Sequence, residues 1–119
     1  MELENIRLKI LLRQFPEAGW MNGSIVFCAE KSEPKISQIS PVFEHNYLTW
    51  ATESGFQSQL IDVLNWFIEY REDNGITPGK EGIVRLGSGI ITIEWLEYGS
   101  THLTNPELQI QPDTFAGGS

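Results

Sequence analysis

The sequence predicts an α+β domain: an antiparallel sheet of about five strands in the order β-β-β-α-β-β, with one long amphipathic helix packed on one face. A sixth strand near the C-terminus stays open. Three observations predict this class. Residues 54–75 carry a helical apolar stripe between two end signals, several short segments are rich in β-branched and aromatic residues, and clusters of proline, glycine and serine separate them. No repeat, heptad array or linker divides the chain, so one domain over residues 1–113 with a flexible tail over 114–119 is expected.

In chain order, "IRLKILLR" places Ile6, Leu8, Ile10 and Leu12 on one side and Arg7, Lys9 and Arg13 on the other with period two, which predicts a half-buried strand. Pro16, Gly19 and Gly23 supply turn chemistry before "SIVFCAE", where Ile25, Phe27 and Ala29 alternate with Val26 and Cys28. A second strand, apolar on both faces, fits there. "KSEPKISQISP", with Pro34 and Pro41, reads as a loop or irregular edge, and "VFEHNYLTWA" as a third strand whose firmer half is Tyr47 to Ala51.

Ser54 and Gln57 stand at capping-box spacing, and the helix they open runs to Asn74-Gly75. At about 100° per residue, Phe56, Leu60, Val63, Leu64 and Phe67 centre a stripe widened by Ile61, Ile68 and Tyr70, with Ser58, Asp62, Asn65, Glu69 and Glu72 opposite. "TPGKEG" reads as a loop. "IVRL", Gly87-Ser88-Gly89 and "IITIEWLEYG" read as a hairpin, and the open sixth strand falls near Leu108 to Ile110, between Pro106 and Pro112.

A chain of 119 residues with 40% apolar residues is long enough to bury one core. Sixteen acidic residues against eight basic ones give a net charge of −8, which repels phosphate backbones and anionic lipid, so neither nucleic acid nor membrane is an expected partner. The imbalance is uneven. Residues 1–50 hold six acids and five bases, a net of −1, and the remainder hold ten acids and three bases, a net of −7. The single cysteine, Cys28, excludes an internal disulfide and reads as a small buried apolar group. An acidic start without a basic n-region, and no run of roughly twenty apolar residues, lead to a cytoplasmic expectation.

Motifs for chemistry are sparse. Alternation along a strand sends Glu94 and Glu97 to opposite faces, which argues against a facing carboxylate pair such as a glycosidase needs. Asp62, Glu69 and Glu72 lack the oxygen-rich loop of a cation site, and "GITPGKEG" lacks the P-loop spacing. No cofactor, metal site or catalytic residue is assigned, and an enzyme is not expected. Among the four tryptophans, Trp20, Trp50 and Trp95 are placed in the core, while Trp66, beside Asp62 and Asp73 in helical projection, and Tyr70 are the better candidates for partial exposure.

The profile of a small acidic domain without catalytic motifs is similar to that of bacterial immunity proteins that neutralise basic nuclease toxins. That likeness is one of size, charge and layout, with no residue motif behind it. On this expectation Asp62, Glu69, Glu72, Asp73, Glu94 and Glu97 supply charge and Trp66 and Tyr70 anchor a basic protein partner, occluding its active site. Two alternatives stay open. One is an enzyme or small-ligand binder with a helix–sheet pocket near His45, His102, Glu44 and Tyr47; the other is a homodimer or larger homo-oligomer joined through an exposed strand.

Overall fold

A computed structural model of the chain describes residues 2–30, 32–44, 47–101 and 103. Among them a four-stranded antiparallel sheet in the order β2-β1-β3-β4 carries three α-helices, which makes the fold α+β. His45, His102, the strand expected near Leu108 and both proposed tail boundaries lie outside the described residues.

Helix α1, Glu2–Gln14, replaces the first expected strand. Period two accounts for Leu8 and Leu12, but the residues that are buried are Glu4, Leu8 and Leu11, spaced four and three apart as one face of a helix requires. Ile6 and Ile10, counted inward on the strand reading, stand half exposed. Most of the segment is leucine, arginine, lysine and glutamate, all good helix formers, with Glu2 and Glu4 at the positive end of the helix and Arg13 at the negative end. A 3-10 turn over Pro16–Trp20 then leads to β1, Gly23–Ala29, which is the expected strand and lies inside the sheet.

Strand β2, Ile36–Phe43, occupies much of the stretch read as a loop or irregular edge, and it is an edge strand with an irregular pairing. Pro41 is tolerated because β2 is an edge among the described strands, where none of them requires its missing N–H from a second side. The pairing shifts register between Cys28 and Ala29, a bulge that lets Ile36 sit opposite Ala29. Val42 and Phe43, the start of the third expected strand, end β2, while its firmer half from Tyr47 is instead helix α2, Tyr47–Glu53. Its aromatics favour a sheet by propensity, yet Tyr47, Trp50 and Ala51 are spaced so that one helical face reaches the core, and that packing decides.

Helix α3, Phe56–Asp73, matches its expectation closely, burying Phe56, Leu60, Leu64, Phe67 and Ile68. The expected capping box does not form: Gly55, at φ 88°, is the cap residue without a side-chain cap bond, Ser54 Oγ accepts instead from the Phe56 N–H at 3.2 Å, and Gln57 Oε1 is buried with no hydrogen-bond partner among the described residues. Gly75, at φ 66°, closes the other end. Asn65 does not face water as expected; its Oδ1 accepts from the Ile36 N–H at 2.7 Å and fastens α3 to β2.

Strands β3, Glu81–Gly87, and β4, Ile90–Leu96, form the expected hairpin, with Ser88 and Gly89 at φ 54° and 76° in the turn. Register aligns Ile25, Val84 and Ile93, and likewise Phe27, Gly82 and Trp95, on the face beneath the helices. Phe27 meets Trp95 edge to face, their ring centres 5.5 Å apart, across the gap that Gly82 leaves. Helix α1 lies against β4 and α3, and α3 reaches β2, so the core is one layer between helices and sheet.

Candidate protein-binding surface

Asp62, Glu69 and Asp73 are spaced seven and four residues apart and fall on one line of α3, about 16 Å long at the helical rise. All three are exposed, and none makes an ion pair with another described residue. Neighbours in this row stand about 6–10 Å apart along the axis and face water, so the repulsion of Glu69 and Asp73, one turn apart, costs only about 0.2–0.5 kcal/mol. Their fields nevertheless add at a surface laid across the row.

Trp66 and Tyr70 flank that row and are half-buried. Tyr70 stacks on Trp66 with ring centres 5.3 Å apart, and the Arg7 guanidinium of α1 lies 3.9 Å from the Trp66 ring centre. Much of the indole is therefore engaged within the molecule. Glu72, also exposed, is held by Lys80 at 3.0 Å, which spends most of its charge on its own chain.

Glu94 and Glu97 do not join this group. Glu94 points from β4 to the sheet face turned away from the helices, where it pairs with Arg85. Glu97 follows the end of β4, exposed, with its carbonyl accepting from the Ser100 N–H at 3.1 Å. The eight candidate residues thus divide into six on α3 and two at the far edge of the sheet.

Three features escaped the sequence. Trp20, expected in the core, is 81% exposed at the end of the 3-10 turn. Trp50 and Trp95 do pack against the core. Glu4 and Arg71 are buried together, with Arg71 Nε 2.6 Å from Glu4 Oε2 and Nη2 3.0 Å from Oε1. Glu81 is buried in β3, accepting from the backbone N–H groups of Gly99 and Thr101 and from the Thr101 hydroxyl. One signal for the second was available: Arg71 lies four residues beyond Phe67 and seven beyond Leu64, so a charge continues the apolar face of α3.

Cys28 is buried on the outer side of the sheet, and desolvation raises its thiol above the ordinary value, with the Glu81 and Glu30 carboxylates acting in the same direction against its Ser37 hydrogen bond. A thiol held protonated in this way is a poor nucleophile at neutral pH. Among the described residues no three histidine, cysteine or carboxylate side chains stand close enough to hold a metal ion. None of the described helices is long and apolar enough to cross a membrane. Comparison with protein-family models, with curated proteins and with solved structures returned no match.

Proposed function

We propose that the chain is a small cytoplasmic binding protein of the immunity or inhibitor kind, using α3 to cover a basic partner such as a nuclease toxin domain and occlude its active site. One observation carries this reading. Asp62, Glu69 and Asp73 form an exposed row on a rigid helix with no ion pair to another described residue, so their charge is directed outward. Such a row steers a cationic surface during encounter and acts mainly on the association rate. Trp66 and Tyr70 lie beside it as an aromatic margin, and Glu72 adds charge that is shared with Lys80. Glu94 and Glu97 would belong to a separate contact.

The helix–sheet interface is filled by Phe27, Leu64, Phe67 and Val84, which supports docking on an outer surface over a ligand pocket between the layers. Capture of partners from the native host, followed by association kinetics with each purified partner, tests the reading. A basic partner whose capture is lost when Asp62, Glu69 and Asp73 are changed to lysine supports it, and capture that is indifferent to those changes overturns it.

A further inference from the structure

Helix α1 has two flanks. One, through Arg7, meets Trp66 of α3; the other, through Asn5, Lys9, Leu12 and Arg13, borders a groove whose far wall is the 3-10 turn and the β3–β4 hairpin tip. The groove is open, with a volume of about 590 Å³, and is lined by Lys9, Leu12, Arg13, Pro16, Trp20 and Gly89. Its floor is fixed: Gly89 N–H donates to the Gly19 carbonyl at 3.0 Å, tying the turn to the hairpin. Trp20 rises as a ridge. On its other side lies a second, almost wholly apolar hollow of about 380 Å³ against Met21, Tyr47 and Trp50, with Glu17 at the margin.

The cations beside this groove differ from the other described ones, the exposed and solitary Lys35 excepted. Arg71, Lys80 and Arg85 are each held by a carboxylate of their own chain, and Arg7 lies on Trp66. Lys9 and Arg13, one helical turn apart and exposed, make no ion pair or ring contact with another described residue. A chain with a net charge of −8 thus presents two uncompensated cations beside the most exposed large apolar side chain among the described residues. An exposed aromatic ridge between two hollows, with Lys9 and Arg13 on the rim of one and Glu17 at the margin of the other, is the arrangement of a docking site.

The geometry points to a second binding surface, centred on Trp20, for an acidic peptide segment of another protein: carboxylates on Lys9 and Arg13, and a bulky apolar side chain in the hollow formed with Tyr47 and Trp50. Charge complementarity selects this occupant, because the Lys9–Arg13 rim attracts carboxylates and repels a basic segment. The inference stands apart from the reading of α3 and does not depend on it.

Random peptides displayed on phage, selected on the full chain, provide the probe. Enriched peptides combine aspartate or glutamate with a large apolar residue. By fluorescence anisotropy a synthesised winner loses about tenfold or more in affinity to Trp20→Ser and to the Lys9→Glu, Arg13→Glu double variant, and keeps its affinity for the Asp62→Lys, Glu69→Lys variant. All five positions are exposed, and an unchanged circular dichroism spectrum confirms that each variant is folded. The proposal is overturned by an absence of enrichment, by basic winners, by winners indifferent to Trp20 and to Lys9 and Arg13, or by winners that depend on the α3 carboxylates. Concentration-dependent self-association abolished by Trp20→Ser would likewise overturn it, since the occupant would then be a second copy.

Discussion

The Glu4 carboxylate and the Arg71 guanidinium, 67 positions apart in the chain, meet in a two-pronged ion pair in which the two residues are 1% and 7% exposed. Trp95 Nε1–H donates to the same carboxylate at 3.1 Å, Arg71 Nη1 donates to the Pro78 carbonyl at 2.7 Å, and the guanidinium lies 4.3 Å from the Trp95 ring centre. The pair therefore joins α1, α3, β4 and the loop before β3. Two buried charges repay their desolvation only with such complete pairing, so removing one partner leaves the other uncompensated.

Glu4→Ala is expected to lower unfolding free energy by about 3–5 kcal/mol, the usual cost of orphaning one buried ion. The Glu4→Leu, Arg71→Met double variant is expected to lose less than either single change, because no charge remains buried. Urea denaturation of Glu4→Ala, of the Glu4→Leu and Arg71→Met single variants and of the double variant checks both statements. A double variant that loses the sum of the two singles would show the pair to be more than local compensation.

At Gly82 an added Cβ would lie 3.0 Å from Phe27 Cζ and 2.5 Å from the Glu94 carbonyl oxygen. Gly82→Ala is therefore expected to destabilise by about 1–3 kcal/mol, as overpacking does. The near-ultraviolet circular dichroism of the Trp95 indole should change with it, since Phe27 must move.

Removing the Arg7 side chain uncovers part of the Trp66 ring while leaving the core intact. Arg7→Ala is expected to cost about 0.5–1 kcal/mol, the value of an exposed cation–π contact. Iodide quenching of tryptophan fluorescence should rise, and the rise should be absent in a Trp66→Phe background.

The Cys28 thiol keeps its proton to higher pH in the folded chain than in the unfolded one. Its contribution to stability is fully present below the unfolded thiol value, about 8.5, and is lost as pH rises through the folded value. The stability of the native chain should fall with pH in that alkaline window, and the fall should be shallower for Cys28→Ala. At neutral pH the native thiol should react with a disulfide reagent far more slowly than the unfolded one.

Sequence reading succeeded where one local pattern had no competitor. The α3 stripe is long enough to fix its period, and Gly87-Ser88-Gly89 between two apolar runs leaves few structures other than a hairpin. It failed where two patterns fit the same letters. Leu8 and Leu12 serve period two and a helix alike, and what separates them, the burial of Glu4 and Leu11 and the exposure of Ile6 and Ile10, is decided only in the folded chain. Tyr47 and Trp50 favour a strand by type and a helix by spacing, while Pro41 suggests a loop unless the strand is known to be an edge.

The acidic row of α3 was legible because one helix sets it. The Glu4–Arg71 pair and the exposure of Trp20 depend on residues brought together from distant parts of the chain. No local pattern states where Trp20 ends up, because the turn before it and the hairpin beneath it meet only in the folded molecule.

The most direct test of the α3 reading is the association rate with a basic partner captured from the native host, followed by stopped flow across ionic strength. The rate is expected to fall steeply as salt rises, and to drop about tenfold or more at low salt when Asp62, Glu69 and Asp73 are changed to lysine, with the dissociation rate changing much less. An association rate insensitive both to salt and to those three substitutions would contradict the assignment of α3 as the surface that meets a basic protein.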